Sequence, residues 1–131
     1  EFTQVVPGIE VVGIDVSEYG IANAKEEVRS HLDFGSARDL PYDDGSFDFV
    51  YSLATLHNLK LPDLYRAVQE IARVGKGDDA YIMVESYRNE REKVNLLYWQ
   101  LTCESFYSPE EWAWIYETNG YTGDHGFIYF E

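Results

Sequence analysis

The sequence predicts an α/β fold of the Rossmann-like kind, a three-layer sandwich with a mainly parallel sheet. Short runs of β-branched residues alternate with segments in which apolar residues recur every three or four positions. Such alternation is typical of parallel strands joined by right-handed helical crossovers that cover both faces of the sheet. With 131 residues, 45% of them hydrophobic, the chain suits a single domain, residues 1–131, with a core of its own.

The chain is strongly acidic, which bears on its partners. Its 24 Asp and Glu residues against 10 Lys and Arg give a formal net charge of -14. Binding to a phosphate backbone relies on clustered positive charge, so we expect no nucleic-acid partner. No run approaches the roughly 20 apolar residues of a membrane span, so we expect no membrane insertion. The only cysteine is Cys103, and no His or Cys spacing suits a metal ion, so we expect a cytoplasmic protein without a metal.

Three strands are predicted in the first half of the chain. Ile9–Ile14 is rich in β-branched residues, as buried parallel strands are. Ser17 then has the position and side chain of a helix cap. The helix that follows carries three apolar residues on one face, Ile21, Ala24 and Val28. The other two strands are predicted over His31–Phe34 and Phe47–Leu53, with a polar loop between them.

In the second half of the chain, the sequence predicts one long helix between two strands, and a further strand at the end of the chain. Pro62 and Asp63 open the helix, and Gly75 stands just past its last apolar residue. The strand Ala80–Glu85 follows. A final strand is predicted over Phe127–Phe130, with the chain stopping inside it.

Two further helices are predicted between these last strands. Asn89–Leu101 is expected to bury one stripe, made of Val94, Leu97, Tyr98 and Leu101. Ser108 and Glu111 have the spacing of a capping box, with a proline at the first helical position. The apolar face of that helix would consist of Trp112, Ile115 and Tyr116, and Gly120 is expected to end it.

Residues 35–52, with the sequence Gly-Ser-Ala-Arg-Asp-Leu-Pro-Tyr-Asp-Asp-Gly-Ser-Phe-Asp-Phe-Val-Tyr-Ser, resemble a known family. It is the class I S-adenosylmethionine-dependent methyltransferases of the ubiquinone and menaquinone biosynthesis type, in which a Gly-Asp-Ala-x-x-Leu-Pro-Phe loop precedes Asp-Gly-Ser-Phe-Asp and a strand. Leu53–Leu59 resembles the family's next segment. The resemblance implies S-adenosyl-L-methionine as cofactor, methyl transfer as activity and, by our interpretation, a small-molecule acceptor.

Carried over by position, the resemblance implies six cofactor-binding residues: Asp15 at the ribose, Val16 on the adenine, Ser36 and Ala37 along the adenine edge, and Ser52 and Leu53 at the methionine end. A strand-end aspartate is also common at the ribose in other nucleotide-binding α/β folds. The alternative for Asp15 is that it helps the turn into the helix at Ser17. Ser36 stands where the family has an adenine-binding aspartate, so either affinity falls by about 1 kcal/mol or Asp39 compensates.

His57 is the candidate catalytic residue. It lies just beyond a predicted strand, where a general base could take a proton from a hydroxyl or a carbon acid. The alternative is that it packs against the cofactor pocket or caps the next segment, because methyl transfer can depend on positioning alone. Five aromatic residues also flank the region where such folds build an acceptor pocket, although ordinary packing explains most of them: Tyr87, Tyr98, Trp99, Phe106 and Tyr107.

The resemblance does not extend to the family's first strand and glycine-rich loop, or to its final antiparallel strand. We therefore expect a partial domain whose natural protein continues in both directions. The strands at Ile9 and Phe47 would lack the partner that they normally share. Two other functions stay open, a degenerate nucleotide-binding module without catalysis and an NAD-dependent oxidoreductase, although the loop of residues 35–46 argues against the oxidoreductase.

Overall fold

The computed structural model describes residues 2–131, and within them all paired strands are parallel. Strands β1 (Gly13–Asp15) and β2 (Leu32–Phe34) form a two-stranded sheet. Strands β3 (Val50–Leu53), β4 (Ala80–Glu85) and β5 (Asp124–Ile128) form a three-stranded sheet in that order. The mainly parallel α/β prediction is thus confirmed, and β1 and β3 lie in different sheets, as expected for strands without their common partner.

Six α-helices and one 3-10 helix connect the strands within residues 2–131. Their bounds are α1 Phe2–Val5, α2 Glu18–Ala22, α3 Glu26–Arg29, the 3-10 helix Leu56–Asn58, α4 Leu61–Val74, α5 Glu90–Trp99 and α6 Pro109–Thr118. None of the helices in this part of the chain has both the length and the apolar character needed to cross a membrane.

The core lies between the three-stranded sheet and helices α4 and α6. Helix α4 buries its predicted stripe, and Gly75 caps it as predicted. Helix α6 begins with the predicted capping box, in which Ser108 accepts a hydrogen bond from the backbone of Glu111 and the Glu111 side chain accepts one in return. The central buried side chains are Leu64, Ala67, Val68, Ile71, Ile82, Val84, Trp112, Ile115 and Tyr116.

Strand β1 is shorter than predicted. The structure has only Gly13–Asp15 in the strand, whereas Ile9–Ile14 was expected. Its single neighbour, β2, is itself three residues long, and the ladder begins where the Gly13 amide donates to the carbonyl of His31 at 2.7 Å. Residues 9–12 have no neighbouring strand to pair with in the described chain, and apolar sequence alone does not make a strand.

The predicted helix after Ser17 is two helices. Ser17 caps α2 as predicted, accepting a hydrogen bond from the Gly20 amide at 2.9 Å. The helix stops because Asn23 turns its side chain back to donate to the Tyr19 carbonyl, and Lys25 then takes an extended conformation. The stripe predicted on one helix is therefore divided, and Val28 is exposed.

The predicted face of α5 is wrong. Val94, Leu97, Tyr98 and Leu101 are all exposed, and Leu96 and Glu92 are buried instead. Two polar contacts turn the helix this way. The Glu92 carboxylate accepts hydrogen bonds from Arg88, and the Asn95 side chain donates to the Phe130 carbonyl at 3.0 Å. Specific hydrogen bonds thus set the orientation of a helix whose apolar residues form no decisive stripe.

Two further strands have different bounds from those predicted. Strand β3 begins at Val50, because Phe47 makes only an isolated bridge with Gly75. Strand β5 begins at Asp124 and ends at Ile128, so Glu131 lies beyond it and not within it. The cause is the ladder with β4, which pairs Tyr81 with Asp124 despite the polar residues there.

Candidate cofactor and acceptor site

The residues that the resemblance assigns to adenosine lie at the carboxyl ends of β1 and β2. Asp15 is the last residue of β1 and pairs in register with Phe34, the last residue of β2. The Gly35 amide then donates to the Asp15 carbonyl at 3.0 Å. The structure therefore brings the acidic strand tip and the turn beginning at Gly35 side by side, as the sequence predicted from two separate segments.

Asp15 has a structural role and also a free oxygen. Its Oδ1 accepts the Ser17 amide at 2.8 Å, which is the turn-forming role considered above. Among the hydrogen bonds within residues 2–131, none reaches Oδ2, and the side chain is exposed. Beside it, the Val16 side chain is 67% exposed. A carboxylate oxygen and an apolar side chain are thus both available to a ligand.

The turn that carries Ser36 and Ala37 is compact and half-buried. The Ser36 hydroxyl accepts the Arg38 amide at 3.4 Å, and the Asp39 amide donates to the Ser36 carbonyl at 3.1 Å. Ala37 packs against the core cluster. The Ser36 hydroxyl is therefore directed into the turn, and Ala37 packs beneath it. The exposed Asp39 forms an isolated β-bridge with Ser36.

Helix α4 holds the rest of this loop in place. Arg73 donates to the carbonyl oxygens of Leu40 at 3.0 Å and Tyr42 at 2.7 Å, and to the Asp44 carboxylate at 2.8 Å. Glu70 accepts the Leu40 amide at 2.7 Å, and hydrogen bonds from Arg73 lower the pKa of this carboxyl group. The charged pair on α4 thus fixes residues 40–44, directly after the turn that carries Ser36 and Ala37.

The carboxyl end of β3 supplies the other predicted contacts. Ser52 is half-buried and Leu53 is 46% exposed, so both reach the strand tip. Ala54 follows with a φ of 52°, a left-handed conformation that is unusual without glycine. Its amide donates to the Met83 carbonyl at 2.8 Å, which ties the turn to β4. The chain then enters the 3-10 helix that carries His57.

His57 is not on an open surface but belongs to a buried polar pair. Its side chain is 2% exposed, and its Nε2 lies 3.4 Å from Oε2 of Glu85, whose side chain is 7% exposed. Glu85 ends β4, and its Oε1 accepts a hydrogen bond from the Gln100 side chain at 2.6 Å. Neither Nδ1 of His57 nor Oε2 of Glu85 has a hydrogen-bond partner within residues 2–131.

The protonation of this pair follows from its burial. Burial lowers the pKa of His57, so its ring is neutral at neutral pH. Burial also raises the pKa of Glu85, and the hydrogen bond from Gln100 opposes that rise. The 3.4 Å contact is therefore between a neutral ring and a carboxyl group, and it is not an ion pair.

Sequence reasoning identified His57 and missed Glu85 and Gln100. Glu85 is the one charged residue in the strand Ala80–Glu85, and a carboxylate at the carboxyl end of a buried strand is a signal that could have found it. Gln100 had no such signal. It follows α5, and only the tertiary fold brings it to β4.

The fold and these strand tips define a Rossmann-like nucleotide-binding domain. The residues present fit the adenosine part of such a ligand, because Asp15 leaves one oxygen free and Val16 leaves apolar surface exposed. The model of a family described as a methyltransferase domain matches residues 1–83. The chain belongs to this family, the class I S-adenosylmethionine-dependent methyltransferases, whose cofactor is S-adenosyl-L-methionine.

Relatives and solved structures agree with this membership. The chain is 30% identical to a demethylmenaquinone methyltransferase of Bacillus cytotoxicus over 126 residues, which cover 86% of the chain and 52% of the relative. It is 33% identical to the 27-O-demethylrifamycin SV methyltransferase of Amycolatopsis mediterranei over 73 residues, or 50% of the chain and 26% of the relative. The chain spans about half the length of the first relative, and the match covers about a quarter of the second.

A solved structure shows the same fold. The YcgJ protein of Bacillus subtilis superposes with a TM-score of 0.69 at 24% identity, covering 84% of the chain and 51% of that protein. At this identity the likeness concerns the fold alone. It places the two parallel sheets of this chain within the architecture of a larger α/β domain.

Proposed function

We propose that this chain forms part of an enzyme that transfers a methyl group from S-adenosyl-L-methionine to a small molecule. Family membership supports the methyl donor. The names of two relatives, the demethylmenaquinone and the 27-O-demethylrifamycin SV methyltransferases, support a small-molecule acceptor. The observation that carries the proposal is the register of β1 and β2, which sets Asp15 beside the turn at Gly35.

In this proposal, residues at the ends of three strands contact different parts of the cofactor. The free Oδ2 of Asp15 accepts a hydrogen bond from the ribose, and Val16 offers an apolar surface to the purine. Ser36 contacts the adenine edge, with Ala37 supporting its turn from the core. Ser52 and Leu53 line the methionine end.

When bound, S-adenosyl-L-methionine supplies an electrophilic methyl group on a sulfonium. Acidic and neutral side chains at the strand tips suit this positive charge, since opposite charges attract across a short distance. His57 is the candidate catalytic residue at the acceptor side, because it lies four residues after the end of β3 and its ring is 3.4 Å from the carboxyl group of Glu85, which ends β4.

Ligand binding to the full-length protein tests the proposal. A ligand that binds only the folded state raises the melting temperature, so S-adenosylhomocysteine at about 100 times its Kd is expected to stabilise the protein by about 2.7 kcal/mol. NADH is the control ligand. A melting-temperature shift with NADH and none with S-adenosylhomocysteine would contradict the methyltransferase and favour an oxidoreductase.

A second measurement separates an enzyme from a degenerate module. S-adenosylhomocysteine binding together with transfer of label from methyl-labelled S-adenosylmethionine to any acceptor supports an enzyme. Binding with no transfer across a broad panel of small-molecule extracts would support a non-catalytic nucleotide-binding domain.

A further inference from the structure

A groove lies between the beginnings of helices α4 and α6, outside the residues predicted to bind the cofactor or to act in catalysis. Its volume is about 330 Å³, which is within the range of small-molecule sites. Two features stand out among its walls, namely aromatic rings and carboxylates. The residues that line it are Leu61, Tyr65, Tyr107, Glu110, Glu111, Trp114 and Ile115.

The aromatic rings of the groove have faces that no other group covers. Tyr65 is half-buried and Trp114 is 57% exposed. Within residues 2–131, neither ring stacks on another ring or has a cation over it. The third ring, that of Tyr107, packs edge-on against Trp112 of the core, with 5.4 Å between the ring centroids. The electron-rich face of an aromatic ring attracts cations, so these walls suit a positive ligand.

The two carboxylates of the groove are not neutralised by a neighbouring cation. Glu110 is exposed and has no hydrogen bond or ion pair from its side chain in the described part of the chain. Glu111 uses Oε2 to accept the Ser108 amide at 2.7 Å, which completes the capping box of α6. No lysine or arginine lines the groove. A ligand in the groove therefore meets negative charge.

The helix dipoles oppose this charge but do not cancel it. Each helix that begins at the groove contributes about half a positive charge at its amino end, whereas Glu110 and Glu111 carry two negative charges. Asp63 lies in the first turn of α4 but is paired with Arg38. The exposed Lys60, next to Leu61 in sequence, forms no ion pair with either glutamate in the described residues. About one negative charge remains, and it is complementary to a single cation.

Buried hydrogen bonds hold the walls of the groove in place. The Ser105 hydroxyl donates to the Leu59 carbonyl at 2.6 Å and so joins the segment before Tyr107 to the beginning of α4. The Ser86 hydroxyl donates to the Tyr107 carbonyl at 2.8 Å, and both serines are fully buried. Because the walls are fixed before a ligand arrives, binding does not have to order them.

We propose that this groove binds a small organic cation, a substituted ammonium group, between the rings of Tyr65, Tyr107 and Trp114, with Glu110 as the opposite charge. A substituted ammonium carries its charge under an apolar surface, so aromatic walls and a carboxylate at the rim both suit it. A metal ion would need several oxygen ligands, which aromatic walls do not supply. The proposal goes beyond the proposed function, because binding at this groove requires neither the methyl donor nor the strand ends.

Nuclear magnetic resonance of the full-length protein tests the proposal, with choline as the cation and 3,3-dimethylbutan-1-ol as its uncharged counterpart of the same shape. At constant ionic strength, choline is expected to shift the indole N–H resonance of Trp114 in a saturable manner and to leave that of Trp99 unchanged. The uncharged alcohol is expected to bind at least about tenfold more weakly, as for the loss of a cation from an aromatic site. Equal affinities, or no saturable shift with choline, would overturn the proposal.

Two pairs of variants then locate the cation. Trp114→Ala removes an aromatic wall and is expected to weaken choline binding about tenfold, whereas Trp99→Ala, 73% exposed and outside the groove, is expected to leave it unchanged. Glu110→Gln is expected to weaken binding about threefold, as for one exposed ion pair. Glu117→Gln on the same helix is the matched control. Equal losses in both glutamine variants would mean that the overall acidity of the protein attracts choline, and would contradict the site.

The melting temperature of each variant shows whether it remains folded, and the wild-type comparison of choline with the alcohol requires no variant at all. Calorimetry with S-adenosylhomocysteine reports on the cofactor separately. A protein that binds S-adenosylhomocysteine and does not bind choline loses this groove as a site and keeps the methyltransferase. One that binds choline and not S-adenosylhomocysteine keeps the groove and loses the proposed function.

Discussion

The guanidinium group of Arg73 donates to the carbonyl oxygen of Leu40 at 3.0 Å and so joins α4 to the loop that follows Ser36 and Ala37. Because β1 and β3 lie in different sheets, no ladder joins β1 and β2 to the core sheet in the described chain. Side-chain hydrogen bonds such as this one connect the loop to the core instead.

Replacing Arg73 with lysine should loosen the loop. Lysine keeps the charge but lacks the planar group that reaches Leu40, Tyr42 and Asp44 together. Amide exchange in residues 36–44 is expected to become about tenfold faster, as for the loss of one charged hydrogen bond. Arg66→Lys on the same helix is the control, and equal exchange rates in both variants would contradict the role of Arg73.

Asp15→Asn should weaken S-adenosylhomocysteine binding about tenfold, because a charge-assisted hydrogen bond to ribose becomes a neutral one. The asparagine oxygen can still accept the Ser17 amide, so the turn should persist. Calorimetry measures the affinity, and the exposed Glu18→Gln nearby serves as the charge control. An affinity equal to that of the wild type would remove Asp15 from the site.

Two tryptophans on α6 should differ sharply in their effect on stability. Trp112 is fully buried between Tyr107 and Tyr116, whereas Trp114 is 57% exposed. Trp112→Ala is expected to lower the free energy of unfolding by about 3–5 kcal/mol, since a large cavity opens in the core. Trp114→Ala should change it by less than about 1 kcal/mol. Denaturant unfolding of the two variants gives both values.

The burial of His57 predicts a loss of stability in mild acid. Burial holds its pKa below the usual value of 6.5 in the folded state, so the unfolded chain takes up the proton first as pH falls. The stabilising contribution is complete above pH 6.5 and is lost as pH falls through the folded pKa. The maximum slope for one proton is about 1.4 kcal/mol per pH unit.

Glu85 has the opposite effect on the pH dependence of stability, so its contribution must be separated from that of His57. Its pKa lies above 4.5 in the folded state, so its contribution is complete below pH 4.5 and is lost as pH rises. Comparing Glu85→Gln with the double variant Glu85→Gln/His57→Gln isolates the histidine. The single variant should lose stability more steeply below pH 6.5, and parallel curves would contradict a neutral buried His57.

The elements predicted best were those whose pattern and partners agree. Strand β4 and helix α4 were predicted almost to the residue, because both lie in the core and bury the apolar residues that the sequence displays. Strand β1 and the face of α5 were predicted poorly. Their structure depends on a neighbouring strand or on single hydrogen bonds such as that from Asn95, which local sequence does not reveal.

In the candidate site, too, the sequence indicates some residues and not others. Asp15 and Ser36 could be named as candidates because each stands close to a predicted strand end, and parallel strands bring their ends together; their contact with a cofactor stays a prediction. Glu85 also ends a predicted strand, but its place beside His57 depends on the 3-10 helix packing against β4, which the sequence does not show. The hydrogen bond from Gln100 adds a third segment that no spacing in the sequence indicates.

The left-handed turn at Ala54 joins the end of β3 to the 3-10 helix that carries His57. Leu53 ends one strand, and four residues later His57 provides a basic nitrogen, so even a straight backbone would hold them within roughly 14 Å of each other. The distance between the exposed end of β3 and the buried ring of His57 is thus limited by covalent bonds along a single short stretch of chain. Drift between more distant parts of the molecule would leave that limit intact.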